Sequence, residues 1–281
     1  MADVTGAWTT VPLTAANLET VLAVVADAAY RDDATLVSGL EAAGLAQLDL
    51  TGGGSGTYLA GNAAFDAWTT VVNNEPAAII AFRGTDDIDY SLDGISAYKA
   101  SQDAVYWLDT KGYYDLLADG VSAFDAAVSA LGIRQVYVTG HSLGGAAAQA
   151  YMAEHPDTAT TSYTAVTFGS LGLTGDGAWA TDGRIANFAD ASDFTNSLGT
   201  QTAGLTITVA KGESSLSSGL DLATLISDPA SYLTSHSIEL FADDAARYDA
   251  AKAGLAATDT TTFFTATVKY GGLTVAVSSS G

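Results

Sequence analysis

One stretch of the chain, residues 136–146, reads Val-Tyr-Val-Thr-Gly-His-Ser-Leu-Gly-Gly-Ala and decides the fold. It opens with an apolar run typical of a buried strand, and an Ala-rich segment with helical composition, residues 146–153, follows. Between them Gly140, Ser142 and Gly144 form the pattern G-x-S-x-G, in which a sharp turn lifts the serine hydroxyl above the end of the strand. The two glycines remove side chains that would collide with the strand and the helix. The stretch therefore predicts a nucleophilic serine at a strand–turn–helix junction.

Other apolar runs of strand length place this junction in a parallel sheet. The runs cover residues 77–82, 136–139, 163–168, 185–188 and 205–209. Apolar residues at helical spacing predict helices over residues 15–30 and 113–131. Strand, helix and strand follow one another around Ser142, which is the order of a βαβ unit. We therefore expect an α/β fold with a central, mostly parallel sheet flanked by helices.

The end of the chain predicts a β-hairpin. Residues 260–269 and 273–278 have strand character and are separated by a Gly-Gly pair suited to a tight turn. A chain of 281 residues with 48% apolar side chains suits one large α/β domain. We expect a single domain over residues 1–281, with residues 259–281 forming its terminal hairpin.

The charge of the chain excludes several classes of partner. Lys and Arg number 10 against 32 Asp and Glu, so the net charge of −22 repels nucleic acid and anionic lipid surfaces. No apolar run has membrane-spanning length, so stable membrane insertion is not expected. Such an acidic coat suits a salty or extracellular setting. The absence of cysteine excludes disulfides and thiolate chemistry, and no secretory signal peptide is visible after Met1.

A nucleophilic serine requires a base, because its hydroxyl is a weak nucleophile at neutral pH. The chain contains three histidines. His141 lies inside the motif and is expected to point away from the face of the serine, and His155 ends the following helix before Pro156. His236 is therefore the candidate base by elimination.

The third member of such a site is an acid that follows a strand between the serine and the histidine. Residues 184–194 offer two candidates that are three positions apart. Asp190 adjoins the strand, and Asp193 lies deeper in the loop. Spacing alone leaves both open.

Five motifs between about Tyr30 and His236 resemble those of one known family. They are AFRGT at 81–85, DYSLD at 89–93, GHSLGG at 140–145, VTFGS at 166–170 and the stretch from 187 to 198. They look like the F-R-G-S/T, D-W-x-x-D, G-H-S-L-G-G, T-F-G and N-x-x-D-x-V-P-x-L motifs of the class 3 lipases. That family belongs to the α/β-hydrolases and includes the secreted triacylglycerol lipases of filamentous fungi.

The resemblance assigns roles to individual residues. It places the catalytic acid on Asp193, with Asp190 as the alternative. It also implies that Thr85 supplies an oxyanion hole with its backbone N–H and its hydroxyl, and that Leu143 supplies the second N–H. A developing negative charge on an ester oxygen needs such fixed donors.

The resemblance also implies an activity. It indicates an extracellular carboxylic-ester hydrolase of the lipase type, without cofactor or metal, whose substrate is an acyl ester of lipid and which contacts lipid–water interfaces transiently. In the family the interval corresponding to residues 86–111 carries a lid, although its apolar side chains suit a buried core equally well. The alternatives are a polyester or aryl-ester hydrolase with an open groove and a non-catalytic binding module.

Overall fold

The described part of the chain contains both helices and strands. The computed structural model describes residue 14 and residues 17–30, 34–85, 105–175, 177–191, 193–211, 236–252, 262–270 and 273–280. The α-helices are α1 (Leu18–Ala28), α2 (Ala34–Ala42), α3 (Thr110–Asp115), α4 (Ala118–Ala130), α5 (Leu143–Glu154) and α6 (Ile238–Lys252). The strands are β1 (Ala46–Gln47), β2 (Thr57–Ala60), β3 (Ala63–Val72), β4 (Glu75–Phe82), β5 (Gln135–His141), β6 (Ser162–Phe168), β7 (Asp182–Asp190), β8 (Ala203–Lys211), β9 (Thr262–Tyr270) and β10 (Leu273–Ser280). Short 3-10 turns cover Val105–Trp107 and Phe194–Ser197.

The strands of the described residues form one sheet in the order β1-β3-β4-β5-β6-β7-β8-β9-β10, and β2 pairs with β3. Strands β4 to β8 are parallel to one another, whereas β3 on one side and β9 on the other run antiparallel to their neighbours. Helices pack on both faces. The predicted mostly parallel, helix-flanked α/β fold is therefore confirmed.

Each face of the sheet has its own apolar core. On one face, side chains of α1, α2 and α6 pack with β4 to β8, and they include Leu22, Val25 and Phe241. On the other, α3, α4 and α5 contribute Tyr113, Phe124 and Tyr151. A sheet buried on both faces needs continuous apolar strands, which is why the predicted runs were readable from the sequence. No helix within the described ranges is long and apolar enough to cross a membrane.

The terminal hairpin is confirmed and extends the main sheet. Leu273 pairs with Tyr270 at the turn, and the antiparallel register continues to Ser280 with Phe263. Strand β9 also pairs with β8, from Thr262 with Lys211 to Val268 with Leu205. The Gly-Gly pair between the two strands lies outside the described residues.

The single helix predicted over residues 113–131 is wrong, because the segment forms the two helices α3 and α4. A tight turn separates them, in which the Leu117 N–H donates to the Tyr114 carbonyl three residues back, at 2.9 Å. Leu117 is fully buried at the break. Helix α3 also begins earlier than predicted, because the side chain of Asp109 caps it by accepting the Gly112 N–H at 3.0 Å.

The C-terminal end of α5 carries a largely buried histidine whose pKa depends on its partners. The ring of His155 stacks on Tyr151 at 3.7 Å, and its Nε2 lies 3.0 Å from Asp125 Oδ2. Burial alone lowers the pKa of His155, but hydrogen bonds to Asp125 and to the Tyr151 carbonyl outweigh it and raise the pKa above its usual value.

This shift predicts a pH-dependent contribution to stability. Because the folded-state pKa of His155 lies above the unfolded value, the contribution is fully present below about pH 6.5 and disappears as the pH rises through the folded-state pKa. We expect His155→Gln to lower the melting temperature more at about pH 6 than at about pH 8. Thermal unfolding of the wild type and the variant at the two pH values measures the difference in melting temperature. An equal or larger difference at the higher pH would contradict the prediction.

Candidate active site

The predicted serine stands on a strained turn between β5 and α5. Ser142 has φ 59° and ψ −124°, a backbone conformation that residues other than glycine rarely adopt. The glycines on either side are required by space. A Cβ on Gly140 would lie 2.3 Å from the Gly144 carbonyl oxygen, and one on Gly144 would lie 2.1 Å from the carbonyl oxygen of Phe82 in β4. The turn therefore forms only with glycine at both positions.

The structure brings Ser142, His236 and Asp193 into one chain of hydrogen bonds. Nε2 of His236 lies 2.8 Å from Ser142 Oγ, and its Nδ1 lies 2.8 Å from Asp193 Oδ2. A carboxylate only accepts, so Nδ1 carries the proton and Nε2 accepts the serine O–H. All three residues are buried, with 4 to 7% of their surface exposed. The histidine chosen by elimination is the one that contacts the serine.

Of the two candidate acids, Asp193 contacts His236. Its other oxygen, Oδ1, accepts the backbone N–H of Thr195 at 3.0 Å. Asp190 ends β7, and its backbone carbonyl accepts the N–H of Asp193 and the side-chain amide of Asn196.

Two residues that were not predicted to belong to the site, His141 and Tyr30, support His236. His141 contacts His236, and Tyr30 contacts His141. The ring of His141 lies 4.6 Å from that of His236, and its Nε2 donates to the His236 backbone carbonyl at 2.7 Å. The hydroxyl of Tyr30 lies 2.9 Å from His141 Nδ1. Complete burial, and then the neighbouring His236, lower the pKa of His141 well below its usual value. His141 is thus a neutral donor: the His236 carbonyl only accepts, so Nε2 carries the proton, and Nδ1 accepts the Tyr30 O–H.

The two residues assigned to the oxyanion hole lie on opposite sides of the turn. Leu143 is the first residue of α5, so its N–H has no acceptor within the helix. Thr85 follows β4 and is buried. Its loop is held against the turn, since a Cβ on Gly84 would lie 2.6 Å from the His141 carbonyl oxygen. The indole Nε1 of Trp107 donates to Thr85 Oγ1 at 3.0 Å, a contact that no sequence pattern indicated.

Most of the expected lid lies outside the described residues, which resume at Val105. The part that is described presents apolar side chains to solvent. Val105 is 65% exposed and Leu108 is 82% exposed, on either side of the partly buried Trp107. Within the described ranges there is no group of three or more His, Cys, Asp or Glu side chains that could hold a metal ion.

Comparison with known families agrees with this geometry. Residues 79–184 match the sequence profile of the family described as lipase (class 3). Over these residues the chain is similar to the class 3 lipases. The match begins in β4 and includes the serine turn, whereas Asp193 and His236 lie beyond it. The match supports a carboxylic-ester hydrolase similar to the triacylglycerol lipases.

Several solved structures similar to this chain carry the name of lipases. One is a Rhizomucor miehei lipase in complex with its propeptide, at 15% identity, covering 68% of this chain and 66% of that one with a TM-score of 0.40. Another is a lipase from Rhizopus microsporus var. chinensis, at 17% identity, covering 73% and 77% with a TM-score of 0.37. Comparison with curated protein sequences gives no match.

Proposed function

We propose that this lipase hydrolyses acyl esters of lipids through an acyl-enzyme formed on Ser142. The observation that carries the proposal is the unbroken hydrogen-bond chain from Ser142 through His236 to Asp193, with both links at 2.8 Å. Each group is already oriented for its step. The serine O–H faces a nitrogen that can accept its proton, and the opposite nitrogen faces a carboxylate.

The reaction follows from these orientations. As Ser142 Oγ attacks the ester carbonyl, its proton passes to His236 Nε2, and Asp193 stabilises the imidazolium that forms. The leaving alcohol takes that proton from Nε2. Water then attacks the acyl-enzyme while the same nitrogen takes its proton, and the serine is released. His141, held neutral by burial, adds no positive charge beside the imidazolium.

The oxyanion formed in both steps lies between Thr85 and Leu143 in this proposal. The N–H of Leu143 comes from the first turn of α5, where the positive end of the helix dipole also favours a negative charge. Removing one fixed donor from such a site typically costs about 100- to 1000-fold in turnover. No cofactor takes part in the cycle.

Lipid is the favoured substrate because of the apolar surface next to the site. Val105 and Leu108 expose most of their side chains beside Trp107, whose indole contacts Thr85. An exposed apolar edge beside a catalytic serine suits contact with a lipid–water interface. A polyester or aryl-ester hydrolase and a binding module are not favoured by the family match.

An extracellular location follows from the same proposal. The net charge of −22 keeps the protein soluble and suits a medium of high ionic strength. The absence of cysteine leaves no thiol to oxidise outside the cell.

Hydrolysis of p-nitrophenyl esters from acetyl to palmitoyl tests the substrate class. Each ester is measured below and above the concentration at which it aggregates, with Ser142→Ala as the control for serine dependence. We expect serine-dependent activity that rises at least about 10-fold when a long-chain ester aggregates, because the exposed apolar edge binds the aggregate. Serine-dependent activity confined to short soluble esters would contradict the lipid assignment and leave an esterase.

A further inference from the structure

Trp107 fixes which way the hydroxyl group of Thr85 can point. Its indole Nε1 lies 3.0 Å from Thr85 Oγ1. An indole N–H is a donor only, so the threonine oxygen must accept in this bond. The single hydroxyl proton of Thr85 then points away from the indole. Within the described residues no acceptor takes that proton, so it is available to an incoming ester oxygen.

We propose that Trp107 is a positioning residue for the oxyanion hole, acting by directing the Thr85 hydroxyl proton toward the ester oxygen. The inference rests on the proposed function and deepens it, because it names the group that sets the direction of one oxyanion donor. A threonine hydroxyl without such a partner rotates about its Cβ–Oγ bond and must be oriented again in each turnover. A donor that is already oriented costs no reorganisation free energy when the negative charge develops.

Both partners of this contact rest on α3, which keeps their separation fixed. The Trp107 carbonyl accepts the Thr174 hydroxyl at 3.3 Å, and Thr174 exchanges hydrogen bonds of 2.8 and 2.9 Å with Thr110, the first residue of α3. On the other side, the Tyr113 hydroxyl donates to the Arg83 carbonyl at 2.7 Å, two residues before Thr85. The indole and the threonine are therefore clamped to the same helix.

The contact also joins the residue just before the expected lid interval to the described end of that interval. Thr85 is the last described residue before the interval 86–104, and Trp107 lies in the first turn after it. The Trp107 indole thus contacts Thr85 although the two residues lie 22 positions apart in the chain. In this proposal Trp107 affects catalysis only through the Thr85 hydroxyl. Removing that hydroxyl therefore distinguishes a positioning role of Trp107 from a packing role.

A double-mutant cycle on kcat and KM tests the inference. Trp107→Phe removes the N–H and keeps an aromatic ring, Thr85→Val removes the hydroxyl and keeps the backbone N–H, and Thr85→Ser keeps both. We expect Trp107→Phe to lower kcat about 10-fold with little change in KM, in the wild type and in Thr85→Ser. In the Thr85→Val background the same change should lower kcat by less than about twofold. Trp179→Phe, at a tryptophan remote from Thr85 whose Nε1 has no partner among the described residues, should leave kcat unchanged.

Two outcomes would overturn the inference. One is a wild-type kcat in Trp107→Phe, and the other is an equal loss with and without the Thr85 hydroxyl, which would indicate a packing role. If the phenylalanine variant does not fold, benzothienylalanine at position 107 replaces the N–H by sulphur with almost no change in shape, and the same cycle applies. Failure of the proposed function itself would be recognised separately, as wild-type protein without Ser142-dependent hydrolysis.

Discussion

Replacing Ser142 with alanine is expected to lower kcat for a p-nitrophenyl ester about a millionfold, the scale found when the nucleophile of a serine triad is removed. The loss is this large because no other group in the described site can form the acyl-enzyme. His236 would still lie in place but would have no oxygen to activate. Steady-state kinetics, with active sites counted by a phosphonate that labels the nucleophile, gives the measurement.

The fold should survive this substitution, which makes the result specific. The backbone of Ser142 keeps its hydrogen bonds, since its N–H donates to the Phe168 carbonyl and its carbonyl accepts from Gly145 and Leu171. The matched control is Ser122→Ala, on the exposed face of α4, which should retain full activity and labelling. Near-normal hydrolysis by Ser142→Ala would refute the acyl-enzyme mechanism, as would phosphonate labelling of that variant.

The parts of the fold that were predictable are those where local composition and tertiary burial agree. Strands β4 and β5 are buried over nearly their whole length, and each contains a continuous apolar run. Strand β3 is equally buried but was not predicted, because Asp66 and two threonines interrupt its apolar residues. Helix α6 was missed for a similar reason. Its sequence, residues 238–252, carries charges at many positions, and burial of its apolar side depends on packing against α1 and the sheet.

The candidate site divides in the same way. Ser142 was found because the turn demands glycines at fixed spacing, and His236 because the chain has few histidines. Tyr30 and Trp107 were missed because their partners lie 111 and 22 residues away in the chain, so no local pattern links them. His141 was expected to point away from the serine's face, and its ring contacts that of His236. Contacts of this kind are set by how elements pack, which a single sequence does not display.

Replacing Asp193 with asparagine is expected to lower kcat about 10,000-fold, by analogy with the same change in other serine triads. The side chain keeps its size, and Thr195 N–H can still donate to the amide oxygen in place of Oδ1. What changes is the group facing His236 Nδ1. An amide NH₂ there favours the tautomer with the proton on Nε2, which then cannot accept the serine proton.

Asp190→Asn is the matched control for this prediction. It is the same carboxylate-to-amide change in a residue of similar burial, three positions earlier, and the Asp190 backbone carbonyl that supports the loop is unaffected. We expect it to lower kcat by less than about 10-fold, since both ring nitrogens of His236 are occupied by Ser142 and Asp193. The reverse order of effects would move the catalytic acid to Asp190, and with it the hydrogen-bond chain on which the proposed function depends.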